Sequence, residues 1–111
     1  MEDEKSNFRA YLIASVRQGI EDVDGPLENA FKVNLQASGL SEANIPDDID
    51  ALGAVLEKTF GTGSYTVRRA IAKQFYAKLG LPFEPCVGKK LNKYIAEAKQ
   101  MFQNSLKSSS K

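Results

Sequence analysis

The sequence has no histidine and a single cysteine, Cys86. Without histidine the chain lacks the usual general base near neutral pH and the commonest metal ligand. One cysteine forms no intrachain disulfide, cannot build a tetrahedral zinc site without histidine, and fits a reducing compartment. With nothing to activate it, Cys86 reads as a small semi-buried apolar residue. No Gly-rich run ending in Gly-Lys-Ser/Thr, no dinucleotide fingerprint and no Gly-x-Ser-x-Gly elbow occurs. The first eight residues, MEDEKSNF, carry neither the basic start nor the apolar run of a signal peptide. No stretch approaches the roughly 18 apolar residues of a membrane span. These absences predict a cytoplasmic protein that is not an enzyme and has no cofactor, no metal and no membrane partner.

What the chain does have is a charge split hidden by its net charge of +1. Residues 1–60 carry twelve acidic and five basic side chains, a net of −7, whereas residues 61–111 carry ten basic and two acidic, a net of +8. Such asymmetry points to a charged partner, to attraction between the halves, or to attraction between copies.

Apolar spacing and caps predict a single all-α domain over residues 1–106, a compact bundle of about five helices, with 107–111 as a disordered polar tail. The first helix, about 4–22, follows Phe8, Leu12, Ile13, Val16 and Ile20. Pro26 at a first helical position opens the second, about 26–38, with Leu27, Ala30, Phe31 and Leu35 inward and Gly39 ending it. Residues 40–46 read as a connector because Ile45 precedes Pro46. Asp47 or Asp48 then caps a third helix with Ile49, Leu52, Val55, Leu56 and Phe60 inside, closed by Gly61. Ser64 caps a fourth, which Gly80, Leu81 and Pro82 stop, and a basic fifth helix covers about 88–105. Phe8, Phe31, Phe60, Phe75 and Phe102 fall on the apolar stripes and belong to the core.

Certain stretches carry a likeness: Ile45 with Pro46, then residues 51–64, ALGAVLEKTFGTGS, then residues 75–81, FYAKLGL. A helix ending in Phe-Gly-x-Gly followed by one ending in Tyr-x-Lys-Leu-Gly-Leu resembles a family of small helical output domains. That family was first named in ammonia-oxidising archaea, and its members stand alone or are fused to response-regulator receiver domains. The likeness spans about residues 8–83 and implies a helical fold and a role in signalling or transcription, with no ligand. The adjacent Arg68 and Arg69, and the basic helix beyond residue 83, depart from the family pattern.

Three places invite a binding role. The third helix, its Gly-containing turn and the fourth helix have the order of a helix-turn-helix, in which Ser64, Tyr65, Thr66, Arg68, Arg69 and Lys73 would face nucleic acid. The same order suits a plain packed hairpin. Residues 61–64, GTGS, offer helix-start N–H groups to a phosphate, with Arg68 a turn onward, yet a C-cap glycine followed by an N-cap serine explains them equally. Lys89, Lys90 and Lys93 form a basic patch on the fifth helix, suited to phosphates or simply to solvent. The acidic residues Asp47, Asp48 and Asp50 lack calcium-loop spacing and read as caps and dipole partners. Two functions stand: a non-enzymatic regulatory domain acting through a protein partner or self-association, and a small nucleic-acid-binding protein using the two basic helices.

Overall fold

A computed structural model of the chain describes residues 2–85 and 88–109, with side chains for 8–23, 25–85 and 88–104. Cys86, Val87 and the last two residues of the tail lie outside the described residues, and so does the reading of Cys86 as a semi-buried apolar residue. The described residues form five α-helices and no strand: α1 (Glu2–Asp24), α2 (Glu28–Ala37), α3 (Ile49–Phe60), α4 (Ser64–Leu79) and α5 (Leu91–Ser109). Short 3-10 turns cover Gly25–Leu27, Glu42–Asp47 and Gly61–Gly63. The all-α bundle expected from the spacing is the architecture found.

Local chemistry sets most of the boundaries. Pro26 lies in the 3-10 turn before α2 rather than inside the α-helix, so α2 starts at Glu28. Gly39 (φ 86°) then ends α2 in a Schellman turn, with Gly39 N–H donating to Gln36 O (3.0 Å) and Leu40 N–H to Leu35 O (3.1 Å). The same device closes α4, where Gly80 (φ 70°) precedes a Leu81 N–H to Tyr76 O bond of 2.9 Å. Asp48 caps α3 by accepting from Ala51 N–H at 3.1 Å, and Asp47 instead pairs with Arg9 of α1. The connector before α3 is itself helical and drives Ile45 into the core at 1% exposure.

Two expectations are corrected at the helix starts. Ser64 does not cap α4: the preceding turn runs straight into the helix, Ser64 N–H donates to Gly61 O, and the residue is buried. The fifth helix starts at Leu91, so Lys89 and Lys90 precede it, and Lys90 O accepts from Tyr94 N–H at 3.2 Å. Because α5 runs on to Ser109, Lys99 sits in mid-helix over the Phe8 ring, 5.9 Å from its centroid, and not at a C-terminus.

Helix α4 is central, touching α1, α3 and α5, with its most extensive contact on α1. At their crossing, a Cβ built on Gly19 would lie 2.7–2.9 Å from Ile71, including its backbone N and Cα. Only glycine permits that approach, and around it Leu12, Val16 and Ile20 close on Ile71, Ala72 and Phe75. Phe75 is fully buried and meets the Phe8 ring edge-on at 4.8 Å. Of the five expected core phenylalanines, Phe31 and Phe75 are buried, whereas Phe8, Phe60 and Phe102 are partly so. Ala30 of the expected α2 stripe is exposed. A second ring cluster, Tyr76 with Phe83 (5.3 Å) and Phe83 with Tyr94 (5.5 Å), ties the segment after α4 to α5, and the Tyr76 hydroxyl donates to Tyr94 O at 2.8 Å. Burial of that hydroxyl pushes its pKa up.

Gly19→Ala should destabilise the domain by about 1–3 kcal/mol through overpacking at a backbone contact. Gly53→Ala, whose added methyl meets nothing within 4 Å in the interior of α3, should stabilise it by about 0.5–1 kcal/mol. Urea unfolding of the two variants checks both signs. The hydrogen bond and charge of Arg9 hold the Asp47 carboxyl below its ordinary value. Stability from the pair is therefore complete above the unfolded carboxyl pKa of about 3.9 and is lost as pH falls through the lower folded value. Denaturation curves of Asp47→Asn should show a shallower loss of stability below about pH 4 than those of the wild type.

Candidate functional site

The charge split resolves once the pairs are located. Arg9 binds Asp47, Arg17 binds both carboxylate oxygens of Glu42 at 3.1 Å, and Lys89 binds Glu97 at 2.6 Å. Each of these ion pairs closes within its own half of the chain, so the halves are held together by apolar packing rather than by mutual charge. The pairing leaves α4 and the start of α5 with basic side chains for which no carboxylate partner appears among the described residues: Arg69, Lys73, Lys90 and Lys93.

The structure separates the residues singled out in the sequence. Ser64 is 4% exposed, so it cannot face a nucleic acid, and its N–H is already bonded, which weakens the phosphate reading of the glycine turn. Gly61 itself is a strained turn residue (φ 58°, ψ −128°), a conformation suited to glycine and sufficient to explain it. Thr66, Arg69 and Lys73 lie exposed on the outer face of α4, and the Arg69 guanidinium covers the half-buried Tyr65 ring at 5.7 Å. Lys89 is not part of an open patch. Its side chain is only 20% exposed, reaching forward to Glu97 and over the Tyr94 ring at 5.1 Å. Lys90 and Lys93 remain exposed.

Arg68 points elsewhere. Its Nε donates back to Ser64 O at 3.3 Å, and the side chain lines an open-sided cleft of about 390 Å³ between α3, α4 and the start of α5. The α3 wall presents Asp50, Gly53, Ala54 and Glu57, and the facing wall presents Arg68 and Lys90. Ile49 and Leu91 supply apolar surface, and Asn92 Nδ2 donates to Asp50 Oδ1 at 2.8 Å across one end. The cleft therefore holds two cations and two carboxylates on opposite sides of a floor of small residues. Sequence reading passed over its α3 wall, although the spacing of residues 50, 53, 54 and 57 marks one helical face.

Among the described residues no group of three or more His, Cys, Asp or Glu side chains is gathered as a metal ion would need, and no helix is long and apolar enough to cross a membrane. The chain matches no protein-family model, and no curated protein or solved structure is similar to it. The likeness to archaeal output domains thus rests on its motifs alone.

The two adjacent lysines should respond differently to truncation. Lys89→Ala should lower stability by about 1 kcal/mol, having removed a shielded ion pair and a ring contact. Lys90→Ala should stay within about 0.5 kcal/mol of the wild type, as expected of an exposed side chain. Equal losses in thermal denaturation would refute the separation of Lys89 from the open basic surface.

Proposed function

We propose that the chain is a non-enzymatic regulatory or signalling module that binds a protein partner in the cleft between α3, α4 and α5. The observation that carries this reading is the opposition of Asp50 and Glu57 to Arg68 and Lys90 across a small-residue floor. A polyanion entering there would meet two carboxylates, whereas a protein surface can offer both signs. The only acidic side chain with a resolved pKa shift is Asp47, whose ion pair with Arg9 is structural, so the groups facing the cleft lack the perturbed acid or base of a reaction centre. The resemblance to output domains adds the expectation of a signalling context. Self-association belongs to the same reading, with a second copy as the partner.

A second reading, a small nucleic-acid-binding protein, draws on the exposed Thr66, Arg69 and Lys73 of α4 together with Lys90 and Lys93. Labelled duplex and single-stranded DNA titrated at about 50 and 200 mM salt distinguish the two, because phosphate contacts weaken steeply and log-linearly with salt. The protein-binding reading predicts no appreciable DNA binding at either salt. It also predicts that immobilised wild type retains a protein from nuclease-treated extract that Ala54→Arg, which fills the cleft, does not. Tight, salt-sensitive DNA binding abolished by Arg69→Ala/Lys73→Ala would replace it with the second reading.

A further inference from the structure

The walls of the cleft specify its occupant, and we infer that it receives an amphipathic helix of a partner protein, one with a narrow apolar stripe, basic side chains along one flank and acidic side chains along the other. The inference rests on the protein-binding reading above and gives that partner its chemistry.

The floor supplies the first argument. Gly53 sits in the interior of α3, where glycine costs about 1 kcal/mol relative to alanine. Nothing inside the molecule requires it: its φ is not positive, and a Cβ there would meet no atom within 4 Å. Ala54 beside it is exposed. Two adjacent small residues opening onto a cleft let the backbone of a second helix come close, the geometry of helix-in-groove recognition.

Charge supplies the second. Asp50 and Glu57 stand seven residues apart on the stripe, about 10.5 Å along α3, which matches two turns of a docked helix. Asp50 already accepts one bond from Asn92, and Arg68 has spent one N–H on Ser64 O. Glu57 and Lys90 have no ion-pair partner among the described residues. The four charges cancel, so a ligand of one sign gains at one wall what it loses at the other. A helix with flanks of opposite sign satisfies both walls, and because reversing such a helix exchanges its flanks, the walls also fix its direction.

A second copy of this chain fits less well. Its exposed apolar helix stripe is Ala30, Val33 and Ala37 of α2, with Val33 65% exposed. Lys32 and Gln36 flank that stripe on one side and Asn34 on the other, so the acidic flank is missing.

The test uses stapled helical peptides of about 20 residues sharing one Leu/Ala stripe, with mixed Glu and Lys flanks, with Glu on both, or with Lys on both. The mixed peptide should bind the full chain about tenfold more tightly than either single-sign peptide, as expected of two favourable and two unfavourable exposed pairs. Arg68→Glu should remove that preference. Gly53→Leu, which fills the cleft without touching the core, should abolish binding while its melting curve remains cooperative. An all-Glu peptide that binds as well as the mixed one, no binding by any peptide, or undiminished binding to folded Gly53→Leu would overturn the inference. So would a dimer in light scattering that Ala54→Arg dissolves, which would assign the cleft to a second copy. Cleft-dependent retention of a protein from extract, with the peptides failing, sinks the helical partner alone; failure of both sinks the protein-binding reading as well.

Discussion

Where α1 crosses α4, Gly19 leaves the Ile71 backbone so close that no side chain fits between them. Helix α4 is also the element against which α3 and α5 pack, so the depth of this crossing sets the level of the whole bundle. With α1 seated, Phe75 comes under Phe8, and Tyr76 is left on the side of α5, where its hydroxyl bonds to Tyr94 O. The start of α5 is thereby held beside α3, and that juxtaposition creates the cleft. The site is thus a consequence of packing at a distance. Gly19 touches no cleft residue, yet a methyl group there would push α4 and everything mounted on it.

Electrostatics play the opposite part. The ion pairs lie at the surface and close within each half of the chain, and exposed pairs of this kind contribute little to stability. They determine instead which charges remain available. Arg9 and Arg17 consume acids of the turn before α3, and Glu97 consumes Lys89. What survives is a basic outer face on α4 and a cleft of balanced charge. The large opposite charges of the two halves therefore describe a surface, not a force that joins the halves.

Helix identity was legible in the sequence because apolar spacing and glycine caps are local signals, and Gly39, Gly80 and Asp48 act as their neighbours imply. The errors share one cause: tertiary contacts override local preference. Ser64 has the residue type of a cap, but the continuous turn before it puts it inside the helix and under the core. Lys89 has the look of a solvated lysine, but the late start of α5 bends it onto Glu97 and Tyr94. Gly19 and Gly53 drew no attention, although an interior helix glycine usually has a packing or functional reason. One proves to be the contact that seats α1, and the other opens the cleft. The site's basic wall could be named from composition, whereas its acidic wall required knowing that α3 and α5 are neighbours.

The claim that the cleft, and not the basic face of α4, is the working surface is most directly tested by a residue-resolved amide NMR titration with the mixed-flank peptide. The account predicts shift changes concentrated at Gly53, Ala54, Glu57, Leu91 and Asn92, with Thr66, Arg69 and Lys73 unmoved. Changes confined to Thr66, Arg69 and Lys73, with the cleft amides silent, would contradict it.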